Sequence, residues 1–247
     1  MKYRIIKYKK KGSIAYIILD LPERDRSIYE CMCTELIDVC DVISKDNAVN
    51  VLVIKISGET FSFGTTNDAN STICEAINVV ARLEKIVVAV IEGDAIGEGF
   101  ELALACDVRI ASDRSRFALP NVAAGAIPSS GGTQRLPRLI GQAKALELIL
   151  TATMIDAAEA FRIGLVQKII PSQDIDKEAD ILIKKIAEKA PIALRFCKEA
   201  VSKGMDLTFE QGLRLEADLY FLIQTTRDRM EGIKAFLEKR PPTFKGE

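Results

Sequence analysis

One glutamate stands in a sequence context that suits acid–base chemistry. Residues 97–107 read GEGFELALACD and follow an apolar run at 87–91. Glycines at a strand-to-helix turn let the backbone approach a ligand closely, and the helix that follows presents unpaired N–H groups and a positive dipole end. Glu101 lies within the first helical turn. The segment predicts an oxyanion site with a carboxylate beside it, although a tight turn with an ordinary first-turn acid explains the same residues.

The residue types that are missing narrow the chemistry further. Histidine is absent from all 247 residues, which excludes Ser-His-Asp and Cys-His catalysis and histidine metal sites. Acid–base work must therefore fall to Asp, Glu, Lys, Tyr or Cys. The six cysteines show no paired CxxC spacing, so we expect reduced, buried thiols and no metal site. A dinucleotide site is rejected because the third glycine of GxGxxG is missing after Gly99.

The overall charge and hydrophobicity set limits on partners and location. The chain has 34 basic and 35 acidic residues, a balance that favours neither nucleic acid nor an anionic membrane. No apolar run reaches the roughly 20 residues that a membrane-spanning helix needs. The first 11 residues alternate basic and apolar types, so we expect a first strand there and not a signal peptide. These features predict a cytoplasmic protein.

Alternation of β-branched runs with amphipathic stretches predicts an α/β core. The predicted strands are 2–9, 14–20, 51–56, 86–91, 108–111 and 166–170. The predicted helices are 28–43, 73–83, 100–106, 142–152, 156–163, 174–188, 192–203 and 208–238, with Pro137, Pro171 and Pro191 as breaks. The organisation expected is a core over residues 1–190 and a helical region over 191–247.

A second loop can supply another donor to the same oxygen. Residues 57–64 read SGETFSFG and directly follow the predicted strand 51–56. Because this loop also ends a strand and contains glycine, one of its N–H groups can join that of the 97–99 turn. Two such donors make an oxyanion hole.

Four stretches, in the right order, carry a resemblance to the enoyl-CoA hydratase/isomerase family, the crotonase superfamily. GEGFELALACD at 97–107 resembles the family's GGG-x-E-L-A-x-x-C-D, and IPSSGGTQRL at 127–136 matches IP-x-x-GGTQRL in full. AFRIGLV at 160–166 and EGIKAFLEKRPPTF at 231–244 match two later motifs. The resemblance covers nearly the whole chain.

This resemblance implies a crotonase-like ββα superhelix with a helical C-terminal trimerisation region, in a homotrimer or a dimer of trimers. It implies a coenzyme A thioester as substrate, with no separate cofactor, whose carbonyl is held by the N–H groups of Phe63 and Glu98. Phe236 and Lys239 match residues that hold the coenzyme A of a neighbouring subunit. The glycine pair of GGTQRL is expected to form a structural loop and helix cap.

The chain departs from the family's pattern at the site itself. The family's second catalytic glutamate corresponds to Asn121, which can orient a water but cannot accept its proton at ordinary pH. Glu98 stands where the family has glycine, and we expect two nearby carboxylates to raise one pKa, so that Glu98 partly replaces the missing acid. An outward-facing Glu98 that only favours the helix N-terminus is the alternative.

Two stretches that normally contact the coenzyme A nucleotide are also altered. The family's F-x-A-G-A-D reads FSFGTT from 61 to 66, with the bulky Phe63 in place of alanine and Thr66 in place of aspartate. The family's P-E-x-R-N-A-L reads PERDRSI from 22 to 28. Arg24 and Ser62 remain candidates for coenzyme A binding, while surface charge is the ordinary explanation of Arg24.

The sequence therefore predicts an acyl-CoA-processing lyase of the hydratase type. Glu101 is the expected general acid–base group, and Asn121 is expected to position water or substrate. Isomerisation, decarboxylation and thioester hydrolysis on the same scaffold are alternatives. A catalytically weak homologue that binds acyl-CoA is a further alternative, because the departures cluster at the site.

Overall fold

The computed structural model of the protein describes residues 3–20, 26–57, 60–61 and 71–247. The strands are β1 (Lys7–Lys11), β2 (Ile14–Asp20), β3 (Val51–Ser57), β4 (Thr60–Phe61), β5 (Ile86–Ile91), β6 (Asp94–Ile96), β7 (Val108–Ser112), β8 (Arg116–Ala118), β9 (Ile155–Asp156) and β10 (Lys168–Ile170). The helices are α1 (Arg26–Lys45), α2 (Ser71–Arg82), α3 (Glu98–Ala105), α4 (Gly132–Ile140), α5 (Gln142–Thr151), α6 (Ala157–Arg162), α7 (Ile175–Ala187), α8 (Pro191–Gly204), α9 (Phe209–Ile223) and α10 (Arg227–Leu237). Short 3-10 turns span Pro120–Ala124 and Ser172–Asp174.

The main sheet confirms the predicted α/β core. Its strand order is β1-β2-β3-β5-β7-β10, with an antiparallel β1–β2 hairpin and parallel pairs from β2 onward. Strand β5 is a continuous apolar run, IVVAVI, because both faces of the sheet are covered. The first strand begins at Lys7, so the predicted start at residue 2 was too early.

A second, smaller sheet has the order β4-β6-β8-β9. Successive chain segments place one strand in each sheet and then a helix: β3, β4 and α2; β5, β6 and α3; β7, β8 and then α4. This is the ββα repeat that the family resemblance implied. The sequence patterns missed these strands, because two or three residues are too few to show a period of two.

Helices cover the two faces of the main sheet with separate apolar clusters. Residues of α1, α2 and α3 pack on one face, where Met32, Leu36 and Phe100 are fully buried. On the other face, α7 buries Ile175, Ala179, Ile183 and Ala187, one residue per helical turn. Because α3 lies in the larger cluster, the helix that carries Glu101 is held by apolar packing along its length.

Two helix predictions were wrong. The helix expected at 208–238 is two helices, α9 and α10, because the Thr226 hydroxyl accepts a hydrogen bond from the Arg229 N–H (3.2 Å) and caps a new helix there. Pro137 lies inside α4 and does not break it. Of the cysteines, Cys33, Cys40 and Cys106 are buried as expected, whereas Cys197 is exposed.

The C-terminal helices leave a large apolar surface open. The large apolar side chains that are more than half exposed on α9 and α10 are Phe209, Tyr220, Phe221, Leu222, Met230, Phe236 and Leu237. Helix α8 is joined to the core by Lys198, whose Nζ donates to Asp107 Oδ2 (2.8 Å) and to the Lys85 carbonyl (2.9 Å). Among the described helices, none combines the length and the apolar character needed to cross a bilayer. The domain division at residue 190 stays a prediction.

Candidate active site

The turn between β6 and α3 has the backbone geometry that glycine favours. Gly97 caps α3 with φ 58° and ψ −127°, a conformation that residues with a Cβ rarely adopt. Its N–H donates to the Ala118 carbonyl (2.9 Å), which ties the turn to β8, and its carbonyl accepts from the Glu101 N–H (2.9 Å). Glu98 is therefore the first helical residue, and its N–H has no intrahelical acceptor, as the oxyanion hypothesis requires.

Glu101 is completely buried, and one of its carboxylate oxygens is firmly held. Oε1 accepts hydrogen bonds from the N–H of Ser130 (2.8 Å) and the N–H of Gly132 (2.7 Å). Gly131 caps α4 with φ 101° and Gly132 is its first residue, so Glu101 lies at the positive end of a second helix. The glycine pair of GGTQRL does form the expected loop and cap, and it also binds the carboxylate, which sequence reasoning missed.

Two polar oxygens at this site have no hydrogen-bond partner among the described residues. They are Oε2 of Glu101 and Oδ1 of Asn121, and both are inaccessible to solvent. Asn121 lies on the 3-10 turn Pro120–Ala124 and is 7% exposed. Because buried polar atoms in folded proteins are nearly always paired, two unpaired oxygens at the predicted site indicate groups kept for a ligand or a water.

The electrostatic surroundings favour protonated carboxyl groups. Burial raises the pKa of Glu101, and the negative charge of Glu98 raises it further. The N–H groups of Gly132 and Ser130, followed by the positive charge of Arg135, lower that pKa but act against the dominant effect of burial. Burial also raises the pKa of the half-buried Glu98, while its own backbone N–H lowers it. The charge of Glu98 thus acts on the pKa of Glu101, while the replacement of the missing acid by Glu98 stays a prediction.

Arg135 supports the loop that holds Glu101. Its guanidinium donates to the Ser130 carbonyl (2.7 Å) and to Asn78 Oδ1 (2.8 Å). A Cβ on Gly131 would lie 2.2 Å from Arg135 Nη1, so glycine is required there for space as well as for its positive φ. Sequence reasoning recorded Arg135 only as part of a motif, and its support of the Ser130 N–H was missed.

The opposite end of α3 is organised by a second residue that sequence reasoning missed. Arg109 is 2% exposed, and its guanidinium donates to the carbonyls of Leu165 (2.7 Å) and Cys106 (2.6 Å). A further hydrogen bond to the Ala103 carbonyl (3.3 Å) reaches into the last turn of α3. A single arginine inside the apolar strand VRIAS was the sequence signal that could have identified it.

The remaining predicted residues are placed differently. Phe63, Ser62 and Arg24, together with Thr66, lie outside the described residues. Phe236 is 83% exposed and Lys239 is exposed just beyond the end of α10. The structure thus places Glu98 and Glu101 together in the first turn of α3 and Asn121 on the 3-10 turn that follows β8, whereas the residues predicted to contact the coenzyme A of a neighbour lie on the open surface of the C-terminal helices. That Asn121 acts beside the two carboxyl groups stays a prediction.

Comparison with known proteins bears on what this arrangement does. Residues 9–247 match the sequence model of the family described as enoyl-CoA hydratase/isomerase. The chain is 35% identical over 257 residues to a crotonyl-CoA hydratase from Syntrophomonas wolfei, covering 99% of each chain. It is 33% identical to a 2,3-dehydroadipyl-CoA hydratase from Escherichia coli, covering 96% of this chain and 97% of the relative.

Solved structures agree with the sequence comparisons. The crystal structure of an enoyl-CoA hydratase from Bacillus anthracis superposes with a TM-score of 0.90 at 33% identity, covering 99% of this chain and 100% of the other. An enoyl-CoA hydratase structure from Geobacillus kaustophilus superposes with a TM-score of 0.89 at 30% identity and full coverage of both chains. The fold, the turn at Gly97 and the match over residues 9–247 agree, and the chain belongs to the enoyl-CoA hydratase/isomerase family.

Proposed function

We propose that this enzyme is a hydratase-type lyase that adds water across the conjugated double bond of an enoyl-CoA, with Glu101 as its general base. The observation that carries the proposal is the asymmetry of the Glu101 carboxylate. Two backbone N–H groups fix Oε1, whereas Oε2 has no partner in the described part of the chain. A carboxylate held in this way presents one oxygen, in a fixed direction, for proton transfer.

The thioester carbonyl is held by backbone amides in this mechanism. The Glu98 N–H, at the N-terminus of α3, donates to the carbonyl oxygen, and the Phe63 N–H is the second donor that the family resemblance implies. Negative charge that develops on this oxygen is stabilised by both donors and by the helix dipole. The enolate that forms when water attacks the β-carbon is therefore the species that the site stabilises.

The attacking water is placed by the two unpaired oxygens. In this mechanism the water donates one hydrogen to Asn121 Oδ1 and the other to Glu101 Oε2, the two buried oxygens that have no partner among the described residues. Its oxygen then bonds to the β-carbon while Oε2 takes its proton, and the π electrons of the double bond move towards the thioester oxygen. Asn121 orients this water but does not accept a proton.

The apolar surface of the C-terminal helices supports a homotrimer or a dimer of trimers. Phe209, Phe221 and Phe236 are 82%, 70% and 83% exposed, more than a monomer in water normally leaves open in one region. Burial of this surface between copies would place Phe236 and Lys239 against a neighbour, where they can contact its coenzyme A. We place the enzyme in the cytoplasm, as the sequence predicted.

The proposal is tested with purified protein and crotonyl-CoA. Loss of the conjugated enoyl absorbance, with formation of the 3-hydroxyacyl thioester, is the expected result, and a Glu101→Gln variant should lose it. Saturable binding of acyl-CoA without turnover on short, medium and branched enoyl-CoAs would contradict the proposal and identify a binding protein instead.

A second candidate is a double-bond isomerase, although the family's isomerases usually keep the glutamate that Asn121 replaces. Moving a double bond requires one carboxylate to carry one proton, and Glu101 alone can do that. The same spectrometer separates the two reactions, because a 3-enoyl-CoA gains conjugated absorbance when it is isomerised. Conversion of 3-enoyl-CoA without hydration of crotonyl-CoA would favour the isomerase.

A further inference from the structure

Hydration needs a second proton transfer that Asn121 cannot perform. When water has added to the β-carbon, a proton must still reach the α-carbon, and a side-chain amide has no proton to exchange at ordinary pH. Asn121 occupies the position of the family's second glutamate. That proton comes either from Glu101, which has just taken one from water, or from another group at the site, a question that arises only if the proposed hydration is correct.

Glu98 is placed where such a group is needed. It begins α3 three residues before Glu101, so the two side chains leave the same face of the helix. It is half-buried, and its carboxyl group lies close enough to its own backbone N–H to interact with it. That N–H is the donor assigned to the thioester oxygen, and the α-carbon is bonded directly to the carbonyl carbon.

The charges around the pair favour one shared proton. The guanidinium of Arg135 is the cation that acts on Glu101, and it is already engaged by the Ser130 carbonyl and Asn78. Within the described residues, no basic side chain contributes to the titration of Glu98. Two carboxylates brought out of water with so little compensation cannot both ionise cheaply, so the pair holds one proton between them. That proton is on Glu101 when Glu98 is ionised, and the proposed step begins when it has passed to Glu98.

We propose that Glu98 is the second proton-transfer residue of this enzyme and delivers to the α-carbon the proton that the family's second glutamate would supply. The observation behind it is the placement of two carboxyl groups, the half-buried Glu98 and the fully buried Glu101, on one face of the first turn of α3. Glu98 thereby donates through its backbone N–H and through its side chain to neighbouring atoms of the same thioester.

The proposed cycle balances in atoms and charge. The water oxygen forms a bond to the β-carbon, its proton goes to Glu101 Oε2, and the π electrons form the enolate. Protonated Glu98 then gives its proton to the α-carbon, where the enolate's electron pair forms the new C–H bond and the thioester carbonyl is restored. Glu101 finally passes its proton to the Glu98 carboxylate, directly or through a water, and both groups return to their starting states.

The test uses the full chain with four variants and one control. Glu98→Gln and Glu98→Gly both keep the backbone N–H and remove only the carboxyl group. Asn121→Glu restores the family's glutamate, alone and combined with Glu98→Gly. Glu92→Gln is the matched control, because that glutamate lies just before the same turn and pairs with Lys55 (3.1 Å) outside the site.

Loss of the proton donor should lower kcat and leave KM nearly unchanged. We expect both Glu98 variants to lose about 10²-fold or more in kcat on crotonyl-CoA, a typical loss for one acid–base group. The limb of the pH–rate profile that reports the acid should disappear with them. The double variant Glu98→Gly/Asn121→Glu should recover most of the lost rate, and Glu92→Gln should behave as the wild type.

Two results would overturn the inference while leaving hydration by Glu101 intact. A Glu98→Gly variant as fast as the wild type, with the same pH profile, would show that Glu98 only favours the helix N-terminus. Infrared spectroscopy supplies a measurement that does not depend on turnover, because a carboxyl group that keeps its proton at neutral pH has its own C=O stretching band. The absence of a protonated band that Glu98→Gln removes would equally reject the shared proton.

Discussion

The two ends of α3 differ in how their polar groups are paired. At the C-terminal end, the Arg109 guanidinium donates to three carbonyls, and Asp107 accepts hydrogen bonds from the Val87 N–H (2.7 Å) and Lys198 (2.8 Å). At the N-terminal end, Glu101 Oε2 is buried without a partner in the described part of the chain, and the carboxyl of Glu98 acts on it from three residues away. One short helix thus has a C-terminal end whose charged side chains are paired and an N-terminal end with an unpaired carboxylate oxygen.

The difference indicates which end is built for stability and which for chemistry. A buried polar group without a partner typically costs about 1–3 kcal/mol, so such groups persist where function requires them. Arg109 removes that cost at the C-terminal end by satisfying carbonyls that the last turn leaves open. The hydrogen bonds from the N–H groups of Ser130 and Gly132 remove this cost for Glu101 Oε1 only. They leave Oε2 for substrate or water.

The largest effect is expected from Glu101→Gln. Glutamine can still accept from Ser130 and Gly132, but it cannot take a proton from water. We expect kcat for enoyl-CoA hydration to fall by about 10²–10⁴-fold, while thermal unfolding at neutral pH stays the same or moves to higher temperature because a buried charge has been removed. Hydration assays and melting curves on one preparation measure both. A large loss of stability would mean that the N-terminal end also serves mainly to hold the fold.

Arg109→Met should show the opposite pattern. Methionine fills the apolar volume but leaves the carbonyls of Cys106 and Leu165 without their donor. We expect the free energy of unfolding to fall by on the order of 3 kcal/mol, with kcat per folded molecule nearly unchanged. Urea denaturation measures the loss, and Arg114→Met, on the exposed segment beyond β7, is the control. Unaltered stability would show that these hydrogen bonds contribute little.

A smaller effect is expected from Gly132→Ala, which disturbs the loop that holds the Glu101 carboxylate but leaves Glu101 itself unchanged. The added Cβ would lie 3.0 Å from Glu101 Oε1, 3.0 Å from Pro128 Cβ and 3.1 Å from Leu119 Cδ1. A carboxylate displaced by a fraction of an ångström should lower kcat by about 10-fold, since a 1 Å misplacement costs about 10²-fold. Gly212→Ala in α9, whose nearest neighbour is 4.0 Å away, should leave activity unchanged. Full activity of Gly132→Ala would show that the loop shifts to accommodate the added methyl group without displacing Glu101.

The positions of Glu98 and Glu101 in the first turn of α3 could be predicted from the sequence, because a glycine and a helix terminus fix the local geometry there. The role of Asn121 stays a prediction. The long apolar runs likewise predicted the main sheet. The apolar strand around Arg109 could have marked it as a buried arginine, but the groups that Arg109 and Arg135 support could not be identified, because their acceptors are carbonyls 56 residues away or in another loop, and backbone carbonyls leave no mark in a sequence. Asn78, which binds Arg135 across 57 residues, was missed for the same reason.

The smallest effect concerns the pH dependence of stability, and its sign distinguishes Glu101 at the N-terminal end from carboxyl groups that are paired on the surface. Glu101 binds its proton more tightly in the folded state than an exposed carboxyl with the ordinary pKa of 4.5 does. As pH rises above about 4.5, the unfolded chain loses this proton while the folded chain keeps it, so the free energy of unfolding falls until the raised pKa is passed. Surface carboxyls such as Glu159 and Glu231, whose pKa values are lowered to about 2 by their arginine partners, act in the opposite direction and below pH 4.5.

Comparison of wild type with Glu101→Gln isolates this contribution. The wild type should lose stability relative to the variant as pH rises from 4.5, by at most about 1.4 kcal/mol per pH unit for one proton. Urea midpoints measured between pH 4 and 8 give the difference curve. If the wild type instead becomes more stable relative to the variant as pH rises, the Ser130 and Gly132 amides stabilise the carboxylate by more than burial destabilises it. The N-terminal end of α3 would then be as well paired as the C-terminal end.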